Sequence, residues 1–247
     1  MLSLKLLGVV LTKFWIEEEI MQKVLVIAAH PDDEILGAGG TIAKFVTKGA
    51  EVKVLIVTDG STSQYRDDPK LQDILDAKKK ETQNAMRILG VSEVLYGGMP
   101  DMKLDVTDHI LVNQSIERVI DEYQPNIVFT HYHGDVNLDH QCVSRSTMVA
   151  CRPVIDQCVQ ELYAYYVPSS TDWNAQNNIN TFMPNVFIDI SGECAEKKYQ
   201  AMECYATELR EYPHPRSIEA LRVMDRANGI HVGLEAAECF VAYRVIK

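Results

Sequence analysis

Apolar residues in this chain fall into short unbroken runs separated by longer amphipathic stretches. Val24–Ala29 is a continuous apolar run, the pattern of a strand buried on both faces. Val52–Val57 repeats it, Glu93–Tyr96 and Ile127–Thr130 are shorter versions, and Leu162–Val167, Val186–Ile190 and Cys239–Ile246 predict later strands. Between them the spacing predicts helices over Thr41–Lys48, closed by Gly49, Leu71–Leu89, stopped by Gly90, and Thr107–Tyr123, ended by Pro125. Further helices are expected at Gln141–Cys151, Cys194–Leu209 and Ile218–Gly229, with Asp59–Lys70 a polar loop. Strands alternating with helices in this way build βαβ units. The expected fold is therefore α/β and Rossmann-like, a mostly parallel sheet with helices on both faces, in a single domain.

The first twenty residues do not fit the pattern. Leu6–Leu11 is too short for a signal-peptide core, has no small-residue cleavage site and runs into Glu17-Glu18-Glu19. Met21 opens the first strand segment, so we expect 1–20 to be an N-terminal extension and 21–247 the functional domain.

Composition narrows the function classes. Hydrophobic residues are 47% and charged residues 24%, which excludes a disordered chain. The net charge of −11 argues against nucleic-acid binding, because phosphate backbones reward clustered cations. No apolar run approaches 18 residues, so no membrane span is expected. The six cysteines are scattered without a C-x-x-C pair, which suits buried thiols in a reducing compartment, the cytoplasm by default. A homo-oligomer is left open.

Two segments carry candidate chemistry. After the first strand the chain reads Ala29-His30-Pro31-Asp32-Asp33-Glu34, then Gly37-Ala38-Gly39-Gly40. Adjacent carboxylates repel one another unless a cation lies between them. A dinucleotide fingerprint fails here, since Gly37 and Gly39 are followed by Ile42 where the third glycine belongs. After the fourth strand comes His131-Tyr132-His133-Gly134-Asp135-Val136-Asn137-Leu138-Asp139-His140, holding three of the chain's 7 histidines. With strand order 3-2-1-4 the two loops face each other at the switch point of the sheet. His30, an acid and a His of the second loop then make a three-ligand set with an open position, which is how catalytic zinc is held. Spacing leaves open which acid is the ligand.

Ala-His-Pro-Asp-Asp-Glu after the first strand, with Asp139-His140 after the fourth, resembles the PIG-L/LmbE-like family of metal-dependent N-deacetylases. Val167-Pro168-Ser169-Ser170-Thr171-Asp172-Trp173 and Tyr212-Pro213-His214-Pro215-Arg216-Ser217 resemble one branch of it. The resemblance implies that His30, Asp33 and His140 ligate Zn²⁺ and that Asp32 is the general base; the same donors also suit Fe²⁺. It implies an N-acetylated amino sugar as substrate, free or joined to a nucleotide or another carrier. One departure is Asn137, where many members carry a His that assists the oxyanion or the leaving amine. His131, His133 and above all His214 are the replacement candidates. Arg66, Asn137, Arg216 and Trp173 are candidate substrate contacts, with Arg145 and Arg152 as further cations. Other expectations are a different metal-dependent amidase on this scaffold, such as a thiol-sugar conjugate amidase, or a non-catalytic metal- or carbohydrate-binding protein.

Overall fold

The computed structural model describes residues 21–175 and 180–247; the expected extension at 1–20 lies outside the described residues. Seven strands form one sheet: β1 (Lys23–Ala28), β2 (Glu51–Thr58), β3 (Glu93–Met99), β4 (Ile127–His131), β5 (Glu161–Tyr165), β6 (Val186–Asp189) and β7 (Ala237–Val245), in the order β3-β2-β1-β4-β5-β7-β6. The pairs among β1 to β5 are parallel, and β7 runs antiparallel to both its neighbours, β5 and β6.

The helices are α1 (Asp33–Thr47), α2 (Thr62–Tyr65), α3 (Leu71–Leu89), α4 (His109–Tyr123), α5 (Leu138–Ala150), α6 (Glu193–Glu203) and α7 (Ile218–Ile230). β1 shows why its sequence is apolar throughout. Val24, Val26 and Ala28 enter a core under α1, α3, α6 and α7, while Leu25, Ile27 and Ala29 enter a second core under α4 and α5. Side chains alternate across a strand, so a central strand with helices on both faces has no solvent side. Each fully buried Val, Leu or Ile contributes about 1.5–3 kcal/mol relative to exposure.

Several elements differ from expectation: α2 is a short helix inside the expected loop Asp59–Lys70, and α5 starts at Leu138 rather than Gln141. Helix α1 starts at Asp33 rather than Thr41, but it is broken at Ala38 (φ −147°, ψ 15°), and a fresh helical segment follows the break. Glu238 of β7 caps that segment: its Oε1 and Oε2 accept from the backbone N–H groups of Gly40 (3.0 Å) and Thr41 (2.7 Å). The stretch carries glycine because of packing. A Cβ on Gly37 would lie 2.2 Å from the Tyr165 ring. Helix α6 ends at Glu203, before the expected Leu209, and the chain from Cys204 to Ser217 runs as turns toward the carboxyl ends of the strands.

The chain builds outward from β1 to β2 and β3, then returns to place β4 on the other side of β1. That reversal sets the β1–α1 and β4–α5 loops side by side, in the crevice where open α/β sheets bind ligands.

Candidate active site

His30, Asp33 and His140 converge in this crevice. His30 Nδ1 lies 3.1 Å from His140 Nε2 and 3.2 Å from Asp33 Oδ2, and His140 Nε2 lies 3.2 Å from the same oxygen. The three donors form a nearly equilateral triangle. Tetrahedral coordination at 2.0–2.1 Å needs ligand atoms roughly 3.3 Å apart, so the separations fit a zinc-sized ion. Asp33 Oδ1 is buried without a hydrogen-bond partner beside the triangle, a second observation that fits a cation there.

Both imidazoles are oriented from behind. His30 Nε2 faces Asp139 Oδ2 at 3.2 Å and Asp101 Oδ1 at 3.3 Å, which leaves Nδ1 for the triangle. His140 Nδ1 faces Asp135 Oδ2 at 3.1 Å, which leaves Nε2. Carboxylates behind ligating histidines fix the tautomer and raise ligand basicity. Asp135 is itself held, since Ser170 Oγ and Thr171 Oγ1 donate to its Oδ2 at 2.9 and 2.7 Å. The Pro168–Thr171 segment thereby acts on the site through Asp135. Asp139 also accepts from the backbone N–H groups of Met102 (2.7 Å) and Leu104 (2.9 Å), which ties the loop after β3 to His30.

The charges respond to this crowding. Burial alone lowers His30 and His140, but Asp101, Asp139 and Asp33 hold His30 well above the usual imidazole range, and Asp33 and Asp135 lift His140 to about 9. Burial raises Asp33, yet His140 and His131 pull it well below the ordinary carboxylate range. The surroundings of the triangle are therefore strongly negative and favour a cation.

Asp32 sits beside the triangle with φ 117° and ψ −27°, a conformation that costs a non-glycine residue of order 1–3 kcal/mol. Its N–H donates to Glu34 Oε2 at 3.1 Å, and Tyr205 OH donates to Glu34 Oε1 at 2.6 Å, so a buried carboxyl braces the turn. Burial pushes Asp32 up to about 7 against the opposing pull of Arg216, whose Nη1 lies 3.1 Å from Asp32 Oδ2. Arg216 also pairs with Glu208 Oε2 at 3.3 Å, and its Nε is buried without a partner.

An open cleft of ≈ 170 Å³ leads to this centre, with His30, Asp32, Asp101, Asn137, Glu208 and Arg216 in its wall. Of the expected substrate contacts, Asn137 and Arg216 line it. Asn137 is also the N-cap of α5, its Oδ1 accepting from Asp139 N–H at 2.9 Å, which leaves Nδ2 facing Met102 Sδ at 3.6 Å. Arg66 is exposed at the end of α2, and Trp173, 62% exposed, stands edge-on to His214 with ring centroids 5.7 Å apart; neither lines the cleft. His214 is half-buried, and its Nδ1 accepts from the Arg216 backbone N–H at 3.1 Å. His131 is fully buried: its Nε2 accepts from Ala29 N–H at 2.8 Å, and burial and His140 hold it well below the usual imidazole range. His133 is exposed and pairs with Tyr243 OH at 2.9 Å. Arg145 and Arg152 are exposed, the latter 3.5 Å from Glu117.

Several contributors were not singled out from sequence. Asp135 and Asp139 lie inside the His-rich segment, and a search for carboxylates able to sit behind the ligands finds both. Asp101 follows β3 at the same edge of the sheet and is fastened by Thr62 Oγ1, which accepts its N–H at 3.0 Å, and by Ser63 Oγ. The hydroxyls of the Asp59–Arg66 loop are thus spent partly on Asp101 and on Asp59, to which Thr62 Oγ1 donates at 3.0 Å. Glu208 lies in an irregular segment with no local motif.

Comparisons with known proteins agree with this geometry. The family model described as PIG-L: GlcNAc-PI de-N-acetylase matches residues 25–151, just over half of the chain and both loops of the site. The diacetylchitobiose deacetylase of Thermococcus kodakarensis is 29% identical over 196 residues, covering 77% of this chain and 72% of that protein. The uncharacterized deacetylase YaiS of Escherichia coli K12 is 28% identical over 188 residues, covering 73% and 88%. The crystal structure of the conserved protein TT1542 from Thermus thermophilus superposes with a TM-score of 0.72 at 26% identity, over 92% of this chain and 97% of that one. With its two motif loops meeting at the switch point of the sheet and the family model spanning both, this chain belongs to the PIG-L family.

Proposed function

We propose that the protein is a metal-dependent hydrolase that removes the N-acetyl group from an amino sugar. The observation that carries this reading is the His30–Asp33–His140 triangle with Asp32 next to it at the base of an open cleft. The family description and the relatives named for deacetylation of amino sugars support the substrate class.

His30 Nδ1, Asp33 Oδ2 and His140 Nε2 would hold Zn²⁺, and the same donors suit Fe²⁺. A divalent ion held there would supply an acidified water near neutral pH and a Lewis acid for the acetamide carbonyl. Asp32 accepts the proton of the attacking water and returns it to the departing amine. Glu34 holds the backbone of Asp32 in place. Asn137 Nδ2 and Arg216 are the wall donors able to meet a sugar or the developing oxyanion, where one donor is typically worth ~3 kcal/mol. Products are acetate and the free amino sugar.

The six cysteines are unpaired, and no helix of the described residues is long and apolar enough to cross a membrane. Unpaired thiols suit a reducing compartment, and we assign the protein to the cytoplasm on that basis. The deciding experiment is acetate release from a panel of N-acetylated amino sugars by protein loaded with Zn²⁺ or Fe²⁺, beside amides with larger acyl groups. Acetate from at least one sugar, abolished by a chelator, is expected. Cleavage of the larger amides alone would replace the deacetylase with another amidase.

A further inference from the structure

The cation beside Asp32 is contested. Arg216 Nη1 lies 3.1 Å from Asp32 Oδ2 and 3.3 Å from Glu208 Oε2, so two carboxylates share one guanidinium nitrogen. Left alone, Glu208 would compete with Asp32 for it. Glu208 is instead occupied on its other oxygen, because Oε1 meets Nζ of Lys78 in α3. Charges alternate from Asp32 through Arg216 and Glu208 to Lys78, and each inner member is flanked by its opposites. In such a chain the state of one member is felt by the next.

The placement of Lys78 is specific. Of the consecutive Lys78, Lys79 and Lys80, Lys78 alone is buried, at 6% exposure. Burying an ammonium group is costly unless it is paired. Besides Glu208, Lys78 Nζ donates to Thr207 Oγ1 at 2.6 Å and has Glu81 Oε2 at 3.8 Å. Glu81, three residues on and so on the same face of α3, accepts from Thr207 N–H (3.3 Å) and Oγ1 (2.9 Å). Thr207 and Glu208 belong to the Cys204–Ser217 turns that deliver Arg216 to Asp32. The backbone N–H groups of Glu208 and Leu209 close on Tyr205 within that segment, so these side-chain ties are what fasten it to α3 here. Lys78 does not line the cleft, whereas Glu208 and Arg216 do.

We propose that Lys78 is a positioning residue of the active site, which holds Glu208 and thereby leaves Arg216 to Asp32. The proposal rests on the deacetylase reading and adds a residue remote from the cleft to it.

The test is a double-variant cycle on metal-loaded protein, with acetate release per bound metal as the readout. In the native background Lys78→Met should lower kcat about tenfold, the scale of a slightly displaced catalytic group, with KM within about twofold. In a Glu208→Gln background no carboxylate competes for Arg216, and the same substitution should change kcat by less than about twofold. An equal fall in both backgrounds, or no fall in the native one, would overturn the proposal. Lys78→Gln carries the same comparison if Lys78→Met fails to fold. If no sugar releases acetate, the functional reading falls, and nitrogen-15 NMR of the Arg216 guanidinium in metal-free protein still decides the role of Lys78. That signal, assigned by its loss in Arg216→Lys, should move on Lys78→Met in the native background and stay in place in the Glu208→Gln background. A signal that ignores Lys78, or moves equally in both, would remove the coupling.

Discussion

Arg216 Nη1 lies 3.1 Å from Asp32 Oδ2, so the carboxylate beside the ligand triangle is turned toward a cation that comes from the far end of the chain. The same Nη1 also meets Glu208 Oε2 at 3.3 Å, and the Arg216 backbone N–H is fixed by His214 Nδ1. An arginine so placed positions Asp32 without ligating a metal. Arg216→Met should therefore leave metal content unchanged while kcat falls on the order of 10²-fold, the effect of a misplaced catalytic group. Arg216→Lys should recover part of the loss, and added guanidinium ion should partly rescue Arg216→Met. Full turnover in Arg216→Met would show that Asp32 needs no such partner.

His214 follows from the same relationship. It touches Trp173 and the Arg216 backbone and lies outside the cleft wall, so its effect should pass through Arg216. Loss of one hydrogen bond of about 1 kcal/mol predicts roughly a fivefold fall in kcat for His214→Ala, with metal retained. A fall on the order of 10²–10⁴ would instead mark His214 as the proton donor that Asn137 cannot be.

The adjacent acids should separate cleanly. Asp33→Ala, His30→Ala and His140→Ala are each expected to lose metal and activity together, because each removes a corner of the triangle. Asp32→Asn should keep the metal while turnover drops on the order of 10²–10⁴ and KM changes little. Metal analysis of the purified variants beside their steady-state kinetics decides this; metal lost in Asp32→Asn and kept in Asp33→Ala would exchange the two roles.

Asp135 should tune the metal from behind His140. Asp135→Asn, or Ser170→Ala combined with Thr171→Val, should weaken metal affinity by about 10–100-fold, as loss of an outer partner of a ligating histidine does elsewhere. Competition with a chelator of known affinity measures it. Unchanged affinity would leave the Pro168–Thr171 segment with no part in the site.

The parts legible in the sequence are those whose signal is local. The apolar run of β1 and the amphipathic period of α3 each lie within one element, and the expected Leu71–Leu89 coincides with the observed helix. His30, Asp33 and His140 lie in two short motifs, and the strand order sets those motifs side by side. The break at Ala38 is not legible as a break, because the cap that follows it is Glu238, 198 residues beyond Gly40 along the chain. The expected helix start at Thr41 is nonetheless where the second segment of α1 is capped. Asp101 and Glu208 carry no local signal for the same reason, since what makes each matter is a partner such as His30 or Lys78 distant in the sequence. Arg66 and Trp173 lie on segments at the right rim of the sheet, but a segment's place does not say which way its side chains turn, and neither lines the cleft.

Glu238 tests how firmly the break in α1 is built. Its Oε1 meets Lys198 Nζ at 2.9 Å while accepting from Gly40, and Lys198 also meets Asp225 Oδ1 at 2.8 Å. Burial would lower the Lys198 ammonium, but Asp225 and Glu238 hold it above its ordinary range, so the pair of acids keeps a buried charge in place. Glu238→Ala removes the cap of two backbone N–H groups and one of the two counter-charges together. Breaking a buried pair from one side costs about 3–5 kcal/mol, and loss of the cap adds about 1 kcal/mol. Lys198→Met should be costly for the opposite reason, since it leaves Asp225 and Glu238 facing each other without a cation. If the two residues act as one unit, the double variant Lys198→Met/Glu238→Gln should be less destabilised than the sum of the single variants Lys198→Met and Glu238→Gln, by roughly 0.5–3 kcal/mol, the usual range for coupled neighbours. Urea unfolding of the four proteins measures the coupling. Additive effects would mean that the cap and the ion pair stabilise the fold independently.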